Sequence, residues 1–338
     1  MAQLAGVSPL DTFGLLSVFG SDCAGAIVLL GEGASPGDPS IWRNEAMTAV
    51  DLESAIENLA TIPFGADLEQ GWTPSLAGYQ GKVLLGRAVT GEWARPSNGT
   101  PSTWILKPDR EHRLAANEAT CLALAQRCGL KVPDVELLEV NGAKVLAIRR
   151  YDRDESTSPV SRIHQEDGCQ VSGTAPLQKY EFDGGPSLRA ISSVVRDYGG
   201  VGALEELLRR VTFNVGIGNA DAHAKNFSFL HGPNDHSLEL APVYDVLCTI
   251  ALDQRPGPMG SLVGASTRMG QTVYETSDVL LVSRADIVTE ATHWGLRRSS
   301  AQAVVDELLL TMRDILHTQA GDEATISAIG GQLRRLSR

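Results

Sequence analysis

Three polar side chains in the C-terminal half of the chain have the chemistry and the spacing of a phosphotransfer site. Asp221 and Asn226 are five positions apart, and Asp245 follows 24 positions after Asp221. One carboxylate can accept the proton of a hydroxyl group, while an amide and a second carboxylate can hold Mg²⁺. The pattern therefore predicts a kinase-type site. Its alternative is a turn whose aspartates bind backbone N–H groups.

The segments around these residues should present them at one edge of a cleft. Leucine and valine recur at helical spacing over 201–217, just before the stretch G-N-A-D. The stretches F-S-F-L and L-E-L alternate like short strands, which predicts a hairpin over 227–248. The candidate metal ligands would then lie at the two ends of that hairpin.

A lysine and a glutamate earlier in the chain form a second candidate pair. Lys107 ends the apolar strand W-I-L-K-P, and Glu118 falls on the apolar face of a helix predicted over 112–128. A buried carboxylate without a partner is costly, so we expect Glu118 to pair with Lys107, as a lysine and a glutamate do beside ATP in protein kinases. An ordinary strand-end lysine and a helix glutamate in water are the alternatives.

Two further patterns carry weaker chemistry. The turn S-L-A-G-Y-Q-G-K over 75–82 could bind phosphate oxygens through backbone amides, but it matches neither standard glycine-rich phosphate motif. A plain hairpin turn is its alternative. Zinc binding through His223, His231 and His236 fits no standard ligand spacing.

Composition restricts the classes of function. The formal net charge of −12 over 338 residues disfavours direct binding of nucleic acid, which depends on neutralising phosphates. The five cysteines include no C-x-x-C pair, so we expect reduced, buried thiols. No apolar run is long enough to cross a bilayer and the N-terminus has no signal pattern, which predicts cytoplasmic residence without a membrane partner.

Hydrophobic patterning predicts an α+β chain of two lobes, with a small mixed N-lobe over 1–150 and a larger helical C-lobe over 151–338. Strands are expected over 23–30, within 73–90, at 104–107, and over 133–140 and 143–149, the last two forming a hairpin around Asn141-Gly142. A loop rich in glycine and proline is expected over 253–275, beside the cleft. Helices are expected over 8–20, 45–60, 112–128, 163–172, 187–198, 201–217, 286–294, 299–317 and 322–336.

Taken in order along the chain, these motifs resemble the HipA family of Ser/Thr kinases, the toxin half of bacterial toxin–antitoxin modules. S-L-A-G-Y-Q-G-K is similar to the family's phosphate loop, W-I-L-K-P to its ATP-lysine strand and I-R-R-Y-D-R to its hinge. H-Q-E-D and K-Y-E-F-D-G-G-P-S resemble its C-lobe entry, and G-N-A-D-A-H-A-K-N-F-S with L-A-P-V-Y-D resembles its catalytic core. The resemblance implies a bilobal, PI3/4-kinase-like fold that uses ATP and Mg²⁺.

The resemblance also implies a role for each matching residue. Asp221 would be the catalytic base, and Asn226 and Asp245 would hold Mg²⁺. Ser75 would be a phosphate-loop serine whose autophosphorylation ejects the loop and switches the kinase off. The other matched positions would lie at the nucleotide: Lys107, Glu118, Leu76, Ala77, Gly78, Arg149, Tyr151, Gln165, His223 and Tyr244.

Partners follow from the same resemblance. It implies an aminoacyl-tRNA synthetase as protein substrate and a HipB-like helix-turn-helix antitoxin, through which the chain would contact DNA only indirectly. The chain is shorter than full HipA at the N-terminal subdomain, so either a separate small HipS-like protein supplies that subdomain or the chain is a truncated HipA. Arg149 stands where the family hinge commonly begins with glutamate, and G-Y-Q replaces the commoner G-A-Q of the phosphate loop.

Two other classes of function fit the same residues. A small-molecule kinase of the aminoglycoside-phosphotransferase type also uses an aspartate, an asparagine five positions later and a metal-binding aspartate. A nucleotide-gated module that only binds an antitoxin would need no activity.

Overall fold

The structure is a computed structural model. It describes residues 2, 6–8, 11–33, 38–62, 64–66, 74, 76, 80–109, 113–232, 237–252, 255–256, 262–263 and 266–337. By its packing the chain divides into two compact units, Met1–Arg110 with Asp134–Gln165 and Glu111–Pro133 with Glu166–Arg338. The lobe boundary at residue 150 stays a prediction.

A six-stranded antiparallel sheet forms the centre of the first unit. The hairpin predicted around Asn141-Gly142 is confirmed, and both turn residues have positive φ, as a two-residue hairpin turn of type I′ requires. The strands lie in the order β1 (Arg43–Ala46), β3 (Trp93–Ser97), β2 (Val83–Arg87), β4 (Trp104–Pro108), β6 (Ala143–Arg149) and β5 (Val135–Val140).

The two faces of this sheet differ because side chains alternate along each strand. On one face, Leu85 and Leu106 pack against Leu52 and Ile56 of helix α2 (Ala49–Glu57). On the other face, Leu84 and Ile105 pack with Phe64 and Leu76. The helices predicted over 8–20 and 45–60 are confirmed with narrower bounds, as α1 (Thr12–Phe19) and α2.

A buried network of charges lies beside the sheet in the first unit. Asp22 is 1% exposed and is contacted by Arg150 at 3.2 Å, Arg153 at 3.0 Å and Arg162 at 2.7 Å. Burial opposes ionisation of Asp22, but these three guanidinium groups outweigh it and lower its pKa. Burial also opposes ionisation of Asp152, yet Arg150 and Arg153 lower the pKa of Asp152 to about 2. Both carboxylates are therefore ionised in the folded protein.

This network explains why the strand predicted over 23–30 is wrong. Arg150 and Arg153 donate to the carbonyl oxygen of Cys23 at 2.9 and 2.8 Å, and Asp152 accepts the N–H of Gly25 at 2.7 Å. Charged side chains therefore satisfy the backbone groups that a neighbouring strand would otherwise bind. The segment has no regular strand.

Helices dominate the second unit. Its core includes Phe213, Phe229, Ile287 and Trp294, which are at most 1% exposed. The short hairpin of β10 (Ser228–His231) and β11 (Leu238–Leu240) confirms the prediction over 227–248. The helices are α3 (Leu114–Arg127), α4 (Gly168–Val171), α5 (Leu188–Ile217), α6 (Arg284–His293), α7 (Arg298–Leu316) and α8 (Glu323–Leu336).

Two further elements differ from the prediction. The helix expected over 163–172 is limited to α4, because Asp167 caps it with a capping box and Gln165–Asp167 before it forms strand β9. The loop expected over 253–275 contains β14 (Arg268–Val273), which pairs with β15 (Thr276–Asp278). The two helices expected over 187–198 and 201–217 are confirmed as the halves of α5, which has non-helical backbone angles at Gly200.

The remaining described elements are short. β7 (Arg153–Asp154) pairs with β8 (Ser161–Arg162), and β12 (Arg255–Pro256) pairs with β13 (Leu262–Val263). Among the described helices, none combines the length and the apolar character that a bilayer span requires.

Replacing Asp22 by Asn should lower the free energy of unfolding by about 3–5 kcal/mol, because buried guanidinium groups then lose a carboxylate partner. Urea unfolding followed by tryptophan fluorescence measures this change, since four of the five tryptophans belong to the first unit. Asp134→Asn is the matched control: its side chain pairs with Arg149 while 71% exposed. The control should cost less than about 1 kcal/mol, and equal losses in the two variants would contradict the prediction.

Acid should destabilise the protein through Asp152. Its pKa is about 2 in the folded state and about 3.9 in an unfolded chain. The stabilisation from its ionised form is fully present above about pH 5 and is lost progressively as the pH falls through about 2, a total change of about 2–3 kcal/mol. The measurement is the urea midpoint between pH 5 and pH 2, where Asp152→Asn should show a weaker pH dependence than the native chain. Identical slopes would show that this carboxylate is not held ionised.

Candidate active site

The loop that carries the candidate base begins where α5 ends. Gly218 ends the helix with φ 71° and ψ 37°, and its N–H is bonded to Asn214 O and Val215 O. A side chain at this position would also meet Ile250, whose Cδ1 lies 2.4 Å from an ideal Cβ. Thr249 Oγ1 accepts the N–H of Ala220 at 2.9 Å and donates to Gly218 O at 3.0 Å. These hydrogen bonds and the close approach of Ile250 therefore fix the first turn of the loop.

Asp221 is fixed at three points. Its N–H donates to Asn219 Oδ1 at 3.0 Å, and its carbonyl accepts from Asn226 Nδ2 at 3.0 Å. The hydroxyl of Tyr180 donates to Asp221 Oδ1 at 2.8 Å. Among the described residues, no group donates a hydrogen bond to Oδ2 of Asp221. This carboxylate is thus oriented with one oxygen left to accept a proton.

Asn226 is oriented by the same loop. It lies in the short 3-10 turn Ala224–Asn226, and its own N–H donates to His223 O at 2.9 Å. Because its amide nitrogen is bonded to Asp221 O, its carbonyl Oδ1 is the atom that can serve a metal ion. Mg²⁺ prefers such oxygen ligands.

Asp245 lies beside this loop in a left-handed backbone conformation, with φ 50°. Its neighbour Tyr244 donates its hydroxyl to the carbonyl of Lys225 and accepts from Ser228 Oγ at 2.6 Å. The charges of Asp221 and Asp245 both act on the imidazole of His223. The structure therefore brings the predicted acids and the predicted amide to one place in the second unit.

His223 is a buried, neutral member of the cluster. Burial lowers its pKa to about 4, with Lys179 contributing and the charges of Asp221 and Asp245 opposing. Its Nε2 lies 2.9 Å from Lys179 Nζ. Since an ammonium group only donates, Nε2 accepts and the ring proton is on Nδ1. Gly270 packs against the backbone of His223, with an ideal Cβ only 2.9 Å from His223 Cα.

The residues of the first unit that are predicted to bind the nucleotide differ in burial and in their contacts. Lys107 is 5% exposed on β4, and strand alternation places it on the sheet face that carries Ile105 and Leu76. Arg149 donates its N–H to Asp134 O, and its guanidinium pairs with Asp134 and Glu155.

The other predicted contacts stay predictions. Gln165 Oε1 is a buried acceptor with no hydrogen-bond partner among the described residues, which suits a ligand contact. Glu118 is 1% exposed on α3 of the second unit, so its pairing with Lys107 would join two separately described units. Tyr151 is half-buried in the first unit. The phosphate-loop positions Ser75, Ala77 and Gly78 and the histidine His236 lie outside the described residues.

Sequence reasoning missed Lys179, Tyr180 and Gly270, which all contact the loop that carries Asp221. The only signal for Lys179 and Tyr180 was the stretch K-Y-E-F-D-G-G-P-S, which the resemblance noted without giving a role to any residue in it, and Gly270 had no such signal. The zinc alternative is not favoured, because His223 bonds Lys179 and His231 bonds Glu166 Oε2 at 2.7 Å.

Comparison with known proteins decides the family. Residues 74–315 match the model of the HipA-like C-terminal domain, which is more than half of the chain. The chain belongs to the HipA family. It is 37% identical over 277 residues to Y4mE of Sinorhizobium fredii, a protein named as a kinase. It is 30% identical over 263 residues to the serine/threonine-protein kinase toxin HipA of Shewanella oneidensis.

The fold of the family extends over nearly all of this chain. HipA from the Shewanella oneidensis complex of HipA, HipB and operator DNA superposes with a TM-score of 0.76 at 24% identity, covering 98% of this chain and 78% of that one. The predicted α+β, kinase-like HipA fold is therefore confirmed. The sequence matches span only 65% of Y4mE and 59% of Shewanella HipA, less than two thirds of either relative.

Gly270→Ala should destabilise the second unit by about 1–3 kcal/mol, because the added methyl group meets the backbone of His223 at 2.9 Å. Thermal unfolding monitored by circular dichroism measures the change. Gly202→Ala is the control: this helical glycine has nothing within 4 Å of an added Cβ, and the change should be neutral or stabilise by up to about 1 kcal/mol. A Gly270→Ala protein as stable as the Gly202→Ala protein would refute the close approach.

Proposed function

We propose that the protein is a serine/threonine protein kinase that transfers the γ-phosphoryl group of ATP, with Mg²⁺, to a hydroxyl group of another protein. The observation that supports this most directly is the orientation of Asp221, with Oδ1 bonded by Tyr180 and Oδ2 accepting no hydrogen bond from a described residue. A base for a hydroxyl group needs such a fixed carboxylate with one accepting oxygen. Membership of the HipA family and relatives named as kinases agree with the proposal.

In this mechanism most of the catalysis comes from positioning. Asp221 orients the acceptor hydroxyl and takes its proton while the hydroxyl oxygen attacks the γ-phosphorus. Asn226 Oδ1 and the Asp245 carboxylate are oxygen ligands of the kind that Mg²⁺ prefers, and the ion would neutralise charge on the phosphates. Lys107, supported by Glu118, would bind the phosphate chain, and the hinge around Arg149 and Tyr151 would line the adenine.

The proposed biological role is that of a toxin in a toxin–antitoxin module. The HipA of Shewanella oneidensis forms a complex with HipB and operator DNA. By analogy, a HipB-like antitoxin would bind this chain and carry the DNA contacts, which agrees with the net charge of −12. The proposed protein substrate is an aminoacyl-tRNA synthetase, whose phosphorylation would inhibit translation. Ser75 would be the autophosphorylation site, and a small HipS-like protein could supply an N-terminal subdomain.

The test uses radiolabelled ATP, the purified protein and a cell extract, followed by identification of the labelled protein. Asp221→Asn should reduce phosphate transfer by about 10²- to 10⁴-fold, because the acceptor hydroxyl loses its base. ATP binding, measured by calorimetry, should be retained. Chelation of Mg²⁺ by EDTA should also abolish transfer, since Asn226 and Asp245 then lose their ion.

Asp197→Asn is the matched control, because its side chain is 63% exposed on α5 and pairs with the exposed Arg196. It should transfer phosphate at the native rate. Native-rate transfer by Asp221→Asn would disprove the assignment of the base. Label on a small amine with none on protein would instead favour the aminoglycoside-phosphotransferase alternative.

A further inference from the structure

The segment 179–183 contacts the loop over 218–226, which carries Asp221. The mechanism above gives this segment no role. Tyr180 donates its hydroxyl to Asp221 Oδ1 at 2.8 Å. Its ring stacks on Phe182, with centroids 5.0 Å apart and planes 8° apart, and meets the edge of His223 at 5.2 Å. Arg268 of β14 lies over Phe182, 3.7 Å from the ring centroid. The Tyr180 ring is therefore held by neighbours on more than one side.

Two further bonds attach this segment to the same loop. Lys179 Nζ contacts His223 Nε2 at 2.9 Å, and Lys179 O accepts the N–H of Ala224 at 3.1 Å. The segment is in turn attached to β14, because Glu181 Oε2 accepts the N–H of Thr272 at 2.6 Å. Strand β14 is itself bonded to the loop, since Gly270 donates its N–H to Ala220 O at 2.7 Å. The loop is thus held between two segments that are bonded to each other.

The direction of the hydrogen bond at Asp221 follows from the chemistry of Tyr180. Burial, with the charge of Asp221 second, raises the pKa of the Tyr180 hydroxyl far above its ordinary value. The hydroxyl therefore keeps its proton and donates it to the carboxylate. The bond occupies Oδ1, so the carboxylate cannot rotate without losing it.

We propose that Tyr180 is a positioning residue for phosphoryl transfer: its hydroxyl holds Asp221 Oδ1 and so makes Oδ2 the atom that accepts the substrate proton. The inference rests on the proposed kinase function. In the step, the substrate oxygen forms a bond to the γ-phosphorus as the bond from that phosphorus to the bridging oxygen of ADP breaks. The proton of the substrate hydroxyl passes to Oδ2, while the Tyr180 proton remains between the hydroxyl and Oδ1.

Tyr180→Phe tests this role because it retains the ring and its stacking and removes only the hydroxyl. A hydrogen bond to a charged group corresponds to about 10- to 100-fold in rate. We expect kcat for protein phosphorylation to fall by that factor, while KM for ATP stays within about twofold. Tyr198→Phe is the matched control, since Tyr198 is 53% exposed on α5, and it should leave both constants unchanged.

A double-mutant cycle separates positioning from a general structural role. In the Asp221→Asn background, Tyr180→Phe should have almost no further effect on residual transfer, because the two residues act as one unit. A full additional loss in that background would overturn the proposal. So would native kcat in Tyr180→Phe.

Crystal structures of the native protein and of Tyr180→Phe give a readout that does not depend on activity. The Asp221 carboxylate should be ordered in the native protein and should rotate or become disordered in the variant. An unchanged carboxylate would overturn the positioning role even if the protein is a kinase. If the carboxylate loses its order in Tyr180→Phe while the native protein phosphorylates nothing, the result would support the orienting contact of Tyr180 and contradict the proposed function.

Discussion

A carboxylate that accepts a proton during a reaction must be oriented without being saturated by cations, and the second unit satisfies this requirement with neutral donors. Asp221 is bonded by a tyrosine hydroxyl, and its backbone is held by two asparagine side chains. The buried acids of the first unit are held in the opposite way. Asp22 and Asp152 are surrounded by arginines, which lower the pKa of each. Such carboxylates are suited to structure, because their oxygens are already occupied by donors.

Burial of His223 serves the same requirement. The charges of Asp221 and Asp245 both favour a positive charge on the imidazole, yet burial and Lys179 lower its pKa to about 4. At neutral pH the ring is therefore uncharged and places no cation beside Asp221. The contact from Lys179 to Nε2 also sets the tautomer, leaving the proton on Nδ1. Nδ1 has no hydrogen-bond partner among the described residues.

The sequence was sufficient to identify the candidate catalytic residues, and less so to identify the residues that hold them in place. The spacing of Asp221 and Asn226 and the strand ending in Lys107 could be read directly, because these patterns are local. Tyr180 lies 41 positions before Asp221, and Gly270 reaches the loop only through the path of β14. Contacts of this kind depend on packing between distant segments, which hydrophobic periodicity does not encode. The strand prediction over 23–30 failed for the same reason. Arg150 and Arg153, which are distant in sequence and buried, donate hydrogen bonds to the backbone of this segment.

A single hydroxyl group, that of Tyr244, connects the two chain segments that carry the proposed metal ligands. Tyr244 precedes Asp245, and its hydroxyl donates to the carbonyl of Lys225, which precedes Asn226. Since that hydroxyl has one proton, the bond to Ser228 must be donated by Ser228. The positions immediately before the two ligands are thereby fixed to each other. Asp245 itself has φ 50°, a conformation that aspartate tolerates better than most residues but that still costs about 1–3 kcal/mol. Such a conformation persists only where the surrounding structure imposes it. The hydrogen bond of the Tyr244 hydroxyl fixes the residue next to Asp245 and so contributes to that constraint.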